Sequence, residues 1–462
     1  MLKKIWKVIA ASLRGEEQEY TSGSINKAII LLSIPMILEM AMESLFALVD
    51  AFFVAQVSAD AMATVGLTES VITLVYAVAI GISTAPTAMI ARFVGEKDEN
   101  SASRAAKQAI YLALFVALAL GIPGFLFADD ILRMMGGSEA LIASGVGYTR
   151  IMFGSNVVIM LLFLLNGIFR GAGDAAHAMR ALWIANLINI ALDPLFIFGV
   201  GPFPELGVQG AAVATTIGRS VGVAYQLFIL FGGRSRVRLL FNDWALDGSM
   251  IRRLGRIAAT GAGQYIIGSA SWIFLMRIIA RFGSEAVAGY TISIRLIIFT
   301  LLPAWGLSNA AATLVGQNLG AKQPERAETS VWRSAHFTAG LLAAFGILYV
   351  IFSEQLILAF DSNPAVLESG IMSLRIFGIG YLFFGYGMIF SQAFNGAGDT
   401  RTPTLVNLVC FWLFEIPFGY FLAVQLDWGL AGVCWAVVIT EALMSIMCLI
   451  LFKRGRWKLV EV

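Results

Sequence analysis

Phe169-Arg-Gly-Ala-Gly-Asp174 returns later in the chain as Phe394-Asn-Gly-Ala-Gly-Asp399. The first glycines of the two copies, residues 171 and 396, lie 225 positions apart. The same offset pairs Gly95-Glu-Lys97 with Gly320-Ala-Lys322, Arg150 with Arg375, and Ser58-Ala-Asp-Ala61 with Gly283-Ser-Glu-Ala286. Gly207-Val-Gln-Gly210 meets Gly429-Leu-Ala-Gly432 at an offset of 222, where the preceding loop is shorter. Chance likeness between apolar segments does not hold one register over such a length. The chain is a tandem duplication.

Composition says what was duplicated. Of 462 residues 58% are hydrophobic and 13% charged, and that charge is about half of what a soluble domain carries. Forty-six glycines suit polytopic membrane helices. Apolar spans of membrane-crossing length are expected near 28–55, 62–90, 106–128, 140–168, 177–200, 209–232, 255–281, 286–314, 330–353, 366–394, 402–424 and 430–452. The expected fold is an all-α integral membrane protein of twelve transmembrane helices in two pseudo-symmetric six-helix lobes. Residues 25–232 form one lobe and 255–453 the other. Residues 1–24 lie at the interface, 233–254 form an arginine-rich linker, and 454–462 form a tail. Parallel repeats of this kind place a pseudo-two-fold axis along the membrane normal, with the cavity at the repeat interface.

Lys and Arg crowd the loops on the side of the termini, among them Lys97, Arg104, Arg170, Arg180, Arg234, Lys322 and Arg401, while the opposite loops hold Arg133 and Arg281. Both termini are therefore expected in the cytoplasm, with the chain in the cell (inner) membrane. Met1–Arg14 resembles a signal peptide, but Lys7 interrupts a short apolar core. Glu16-Glu17-Gln18-Glu19 also follows where small residues would mark cleavage. It reads as an amphipathic surface helix. Cys410, Cys434 and Cys448 have no paired spacing and read as core residues. There is no basic patch with interleaved aromatics for nucleic acid and no Gly-x-x-x-x-Gly-Lys-Ser/Thr for ATP. No clustered nucleophile and base argues for an enzyme.

Charges inside the spans are the candidates for function. Asn189 and Asp193 stand four apart in Asn186-Leu-Ile-Asn-Ile-Ala-Leu-Asp-Pro194 and share a helix face, and Pro194 removes a backbone donor and opens the helix beside the carboxylate. In the first span Glu39, Glu43 and Asp50 fall near one face at i, i+4 and i+11. Asp50 has apolar neighbours on both sides, so a proton or a sodium ion would relieve its charge. Thr215 and Thr216 bring hydroxyls to the sixth span, next to the fifth. Two carboxylates, a carboxamide and a hydroxyl form a hard oxygen set that can hold sodium or pass a proton. Glu39 reads equally as a contact at the start of its helix. Glu43 reads equally as an arginine partner. Arg150 and Arg375, present in both halves, read as binders of helix-end carbonyls. His177 and His336 read as solvated or capping residues at helix ends.

Ser33-Ile-Pro-Met36 leading to Glu43-Ser-Leu-Phe-Ala-Leu-Val-Asp-Ala-Phe-Phe-Val54, Ala61-Met-Ala-Thr-Val-Gly66, the two Gly-Ala-Gly-Asp turns, and Asn189-Ile-Ala-Leu-Asp-Pro194 with Gly210-Ala-Ala-Val-Ala-Thr215 together resemble the multidrug and toxic compound extrusion (MATE) family. The likeness to its DinF-like and NorM-like members runs from about Ile25 to Lys453. It implies a V-shaped pair of lobes that export cationic or aromatic drugs by antiport with H+ or Na+, as a monomer in the lipid bilayer with no cofactor. The family's amino-lobe cation site falls on Asp50, Asn189, Asp193 and Thr215. Glu43, Glu69, Glu415 and Gln264 are further candidates for the cavity or an ion relay. NorM-like members also use acids in the seventh and tenth helices, but Gln264 and Tyr381–Met388 supply none here. Coupling is therefore expected to rest on the amino lobe. The rival within the superfamily is a flippase for lipid-linked oligosaccharides, against which stands an expected scarcity of cavity cations. A channel is disfavoured because the repeat implies two rocking lobes.

Overall fold

A computed structural model describes residues 2–15, 19–240 and 244–462, and the acids Glu16 and Glu17 with Gln18 lie outside the described residues. Among those residues all regular structure is helical. In chain order the amino half holds α1 (Leu2–Arg14), α2 (Ile25–Ala55), α3 (Ala59–Gly95), α4 (Glu99–Leu126), α5 (Ala128–Met134), α6 (Glu139–Gly154), α7 (Asn156–Ala172), α8 (Ala175–Phe198) and α9 (Val208–Phe231). The carboxyl half holds α10 (Gly248–Ile279), α11 (Ser284–Gly320), α12 (Pro324–Leu358), α13 (Pro364–Ala397), α14 (Arg401–Asn407), α15 (Ile416–Tyr420) and α16 (Gly429–Lys453).

The twelve expected spans are all present. Eleven are long, apolar segments, and the fourth is the pair α6–α7, bent by 41° at their break. At that break the Asn156 side chain donates to the Ala117 carbonyl at 3.1 Å, which ties the kink to α4. The seventh helix begins at Gly248, earlier than the apolar run suggested, because the Asp247 carboxylate accepts from the amides of Ser249 and Met250 and caps it. Pro194 does not open its helix. It sits inside α8, which continues to Phe198 and ends at Gly199 with a φ of 67°. The eleventh span, Arg401–Gln425, contains wide π-helical stretches at Leu408–Glu415 and Phe421–Gln425 on either side of α15.

The duplication is visible as paired close contacts between the lobes. Gly81 of α3 abuts the backbone of Ala262 in α10. At the offset of 225 its mate Gly306, in α11, abuts Ile37 of α2, the mate of Ala262. Gly95 abuts Gln317, and their mates Gly320 and Arg92 repeat the contact. No Cβ fits at any of these four glycines, so backbone meets backbone across the seam.

Hydrogen bonds fasten the same seam in the half nearer the termini. Thr313 donates to the Arg170 carbonyl at 3.0 Å and Gln317 to the Gly171 carbonyl at 3.1 Å. Arg326 of α12 donates to the carbonyls of Ser22 and Gly23 at 2.8 and 3.0 Å. The segment expected as a tail folds back. Trp457 stacks on Phe452 at 4.8 Å, Lys458 pairs with Glu328 at 2.5 Å, and Arg92 of the other lobe donates to the Val460 carbonyl. The surface helix α1 rests on the same end. Ser12 donates to Leu31 and Arg180 to Leu13, each at 2.6 Å.

Candidate functional site

The amino lobe encloses a buried polar cluster contributed by α2, α3, α7, α8 and α9. Helical spacing aligns its members. Asn186, Asn189 and Asp193 lie on one face of α8, while Thr215, Arg219 and Gln226 lie at i, i+4 and i+11 of α9. Gly210 and Gly218 let α9 approach the α8 backbone closely, with Gly218 set against the Ala185 carbonyl and Asn189.

Asp193 is fully buried and Asn189, Thr215 and Asp50 nearly so. The Asn189 amide donates to Asp193 Oδ1 at 3.3 Å and to Thr215 Oγ1 at 3.1 Å. Asp50 is close enough for its charge to act on Asp193. Three buried acceptors, Asp50 Oδ1, Asp193 Oδ2 and Asn189 Oδ1, have no hydrogen-bond donor. Among the described residues no Lys, Arg or His lies within ion-pair distance of either carboxylate. Buried acceptors without donors are costly, and such a set of oxygens suits a proton or a small cation chemically. Of the four residues expected to form a site, Asn189, Asp193 and Thr215 are joined by hydrogen bonds, with Asp50 close by. Thr216, the other hydroxyl, donates at 2.8 Å to the Ala212 carbonyl of its own helix and takes no part.

Two ion pairs separate that cluster from the seam between the lobes. Arg219 lies 3.5 Å from Glu43 and donates to the Tyr76 hydroxyl at 2.7 Å. Its guanidinium lies over the rings of Phe46 and Tyr76. Asn186 donates to the other Glu43 oxygen at 3.1 Å. Glu43 therefore both lines the cavity and holds an arginine. Glu39 is not a contact at a helix start, for it lies well inside α2 and is 2% exposed. Asn166 donates to it at 3.0 Å and receives from Gln226 at 2.6 Å, while Arg170 stands 4.0 Å away. Arg170, read from the sequence as a loop charge, occupies the last turn of α7 and points inward. Asn166, Arg170, Tyr76 and Gln226 are the members that sequence reasoning missed. The one available signal was the i, i+4 spacing of Asn166 and Arg170 in an otherwise apolar run.

A cavity of about 350 Å³ lies between the lobes. Mates in the repeat line it in pairs: Met40 with Tyr265, Ile80 with Trp305, Thr84 with Asn309, Thr87 with Ala312, and Arg170 with Asn395. Glu43, Glu69, Phe46, Tyr76, Phe163, Arg219 and Gln392 complete the polar and aromatic lining. Two arginines, Arg170 and Arg219, reach this wall. Gln264 is beside the cavity and does not line it; its amide donates to Ser391 at 3.1 Å.

The carboxyl lobe has no counterpart of the Asn189–Asp193 pair. Glu415 is 3% exposed and near Glu441, away from the cavity lining. Phe414 stacks on Phe418 at 4.9 Å. Arg150 and Arg375 do not bind helix-end carbonyls. Arg150 pairs with Asp129 at 2.8 Å and Arg375 donates to the Ser353 hydroxyl at 2.8 Å. His177 is half-buried, with its ring nitrogen 3.2 Å from the Tyr225 hydroxyl, and His336 is exposed at the Trp332 carbonyl.

The MatE family model matches residues 35–195 and again 262–421, once in each lobe. A probable multidrug resistance protein NorM of Thermotoga maritima is 27% identical, over 94% of this chain and 93% of its own. An FAD transporter of Shewanella oneidensis is 27% identical, over 94% and 95%. Among solved structures, a MATE in complex with MaD3S superimposes with a TM-score of 0.88 at 26% identity, covering 95% of this chain and 97% of its own.

Proposed function

The chain belongs to the MatE family of multi-pass membrane transporters, and from that premise we propose a secondary multidrug exporter of the cell (inner) membrane, with both termini cytoplasmic. It works as a monomer and expels flat aromatic compounds, cationic in whole or part, in exchange for inward-moving H+ or Na+. The observation that carries this reading is the cluster of donorless acceptors on Asp50, Asn189 and Asp193, sealed inside one lobe and next to the cavity. An inward-moving ion completes that cluster. Aromatic walls from Tyr76, Phe46, Phe163 and Trp305 supply cation–π and stacking surfaces for the cargo.

The coupling argument is one of differential affinity. An ion that binds both conformations equally shifts neither. With the lobes joined along their terminal halves, the cluster is loaded from the far face. Filling it removes the repulsion between Asp50 and Asp193, so α2 and α8 pack more closely and the cavity narrows. Release of the ion to the cytoplasm restores the repulsion and the wider cavity. The test is ethidium uptake into inverted vesicles, with a lumenal acid load or a lumenal sodium load imposed separately. One of the two gradients should drive uptake, and Asp50→Asn and Asp193→Asn should bring it to background. Uptake that responds to neither gradient would overturn antiport.

A further inference from the structure

The apex of the cavity is chemically lopsided although the duplication makes it geometrically paired. At the amino-lobe positions stand Glu39, Asn166 and Arg170. Their mates at the offset of 225 are Gln264, Ser391 and Asn395. The contact is repeated, Asn166 to Glu39 in one lobe and Gln264 to Ser391 in the other, but only the amino copy is charged. Arg170 is incompletely served there. Its nearest carboxylate is at 4.0 Å, its Nε has no acceptor, and its side chain, 10% exposed, lines the cavity. The Glu39 oxygen facing away from that contact has no donor, so the pair is loose from both sides.

Across the cavity Asn395 donates to Gln392 at 3.0 Å, and Gln392 donates to the Tyr265 hydroxyl at 3.1 Å. The Tyr265 hydroxyl is left with its own proton to give, and Tyr265 and Arg170 both line the cavity. The acids of the lining lie elsewhere. Glu43 is held by Arg219 and Asn186, and Glu69 is exposed. A guanidinium with no carboxylate closer than 4.0 Å and a phenol with a free O–H both line a cavity whose carboxylates gather around Arg219.

We propose that Arg170 and Tyr265 form an anion seat at the apex of the cavity, so that the preferred cargo is a flat aromatic molecule bearing a carboxylate. This rests on the export reading for its biology, but not for its test. Guanidinium–carboxylate contacts are directional and charge-assisted, and in a half-enclosed site they support a preference of about tenfold. Glu39 acts as the internal counter-anion of Arg170 and is displaced from it when cargo arrives.

Rhodamine 110 and rhodamine 123 share one ring system and differ in a free carboxylate against its methyl ester. Equilibrium binding of each to the purified full-length protein, by fluorescence polarisation without any ion gradient, reads the seat directly. The wild type should bind rhodamine 110 about tenfold more tightly than the ester. Arg170→Gln should collapse that ratio toward one, and Arg170→Lys should restore part of it. Glu39→Gln should widen it, because the competing carboxylate is gone. Its fold is safe, since the equivalent position already carries Gln264. General damage would move both variants in the same direction. Equal affinity for the two dyes in the wild type, binding of neither, or a ratio unmoved by Arg170→Gln would overturn the seat. Gradient-driven uptake can fail while this ratio holds, and the ratio can fail while uptake holds, so the two readings fall separately.

Discussion

Asp193 and Arg219 are both buried charges within one lobe, and their surroundings predict opposite responses to substitution. Among the described residues no cation pairs with Asp193, whose second oxygen has no donor. Asp193→Asn should therefore keep or raise the melting temperature in detergent while vesicle uptake falls to background. Wild-type uptake by that variant would remove Asp193 from coupling. Arg219, in contrast, serves Glu43, Tyr76 and two ring faces. Arg219→Ala leaves Glu43 without its cation, and breaking this partly buried pair, in which Asn186 still donates to Glu43, costs on the order of 1–3 kcal/mol. Its unfolding midpoint should drop accordingly. At this scale the sequence revealed a carboxylate wherever it interrupts an apolar run, as at Asp50 and Asp193. It concealed Arg170, because a charge near the end of a span ordinarily means solvent, and only packing turned this one inward.

Helix–helix approach sets whether those side chains meet. The α8–α9 contact depends on small residues, with Gly218 lodged against the Ala185 carbonyl, three residues from Thr215. Gly218→Val forces α9 away from α8, an overpacking that costs about 1–3 kcal/mol. It should stretch the Asn189–Thr215 bond, so that uptake falls by more than the loss of folded protein. Uptake per folded molecule equal to wild type would show that the Thr215 hydroxyl is dispensable. Elements were legible in number and order from hydrophobic length alone. Their internal geometry was less so. The π stretch Leu408–Glu415 widens the turns before Pro417 and alters the register of Phe414 and Glu415. Nothing in that composition announces a π turn, which is settled by what the helix packs against.

Between the lobes, opening requires the seam at Gly81–Ala262, Gly306–Ile37, Gly95–Gln317 and Gly320–Arg92 to part. Gly320→Leu wedges a side chain into backbone contact and should bias the molecule toward opening on the face of the termini. A cysteine at the cavity-lining Ala312 reports this, and the native thiols Cys410, Cys434 and Cys448 are buried. Labelling by a bulky, charged maleimide applied from that face should rise several-fold in Gly320→Leu. Removing residues 456–462, which link Arg92 of one lobe to Glu328 of the other, should act in the same direction and more weakly. Unchanged labelling in both would mean that this seam is not the gate.

The sequence by itself determined the twelve spans, the duplication, and the polar groups that α8 and α9 bury against each other. Each follows from local chemistry: apolar length, a repeated register, and polar groups four apart on a helix. Tertiary structure alone decided which of the repeated positions would meet at the shared cavity. Arg170 and Asn395 are mates in sequence, and only the packing of two lobes around one axis brings both to line the same space. Periodicity records which face of a helix a residue occupies. What lies opposite that face depends on helices more than a hundred residues distant, and no local pattern encodes them.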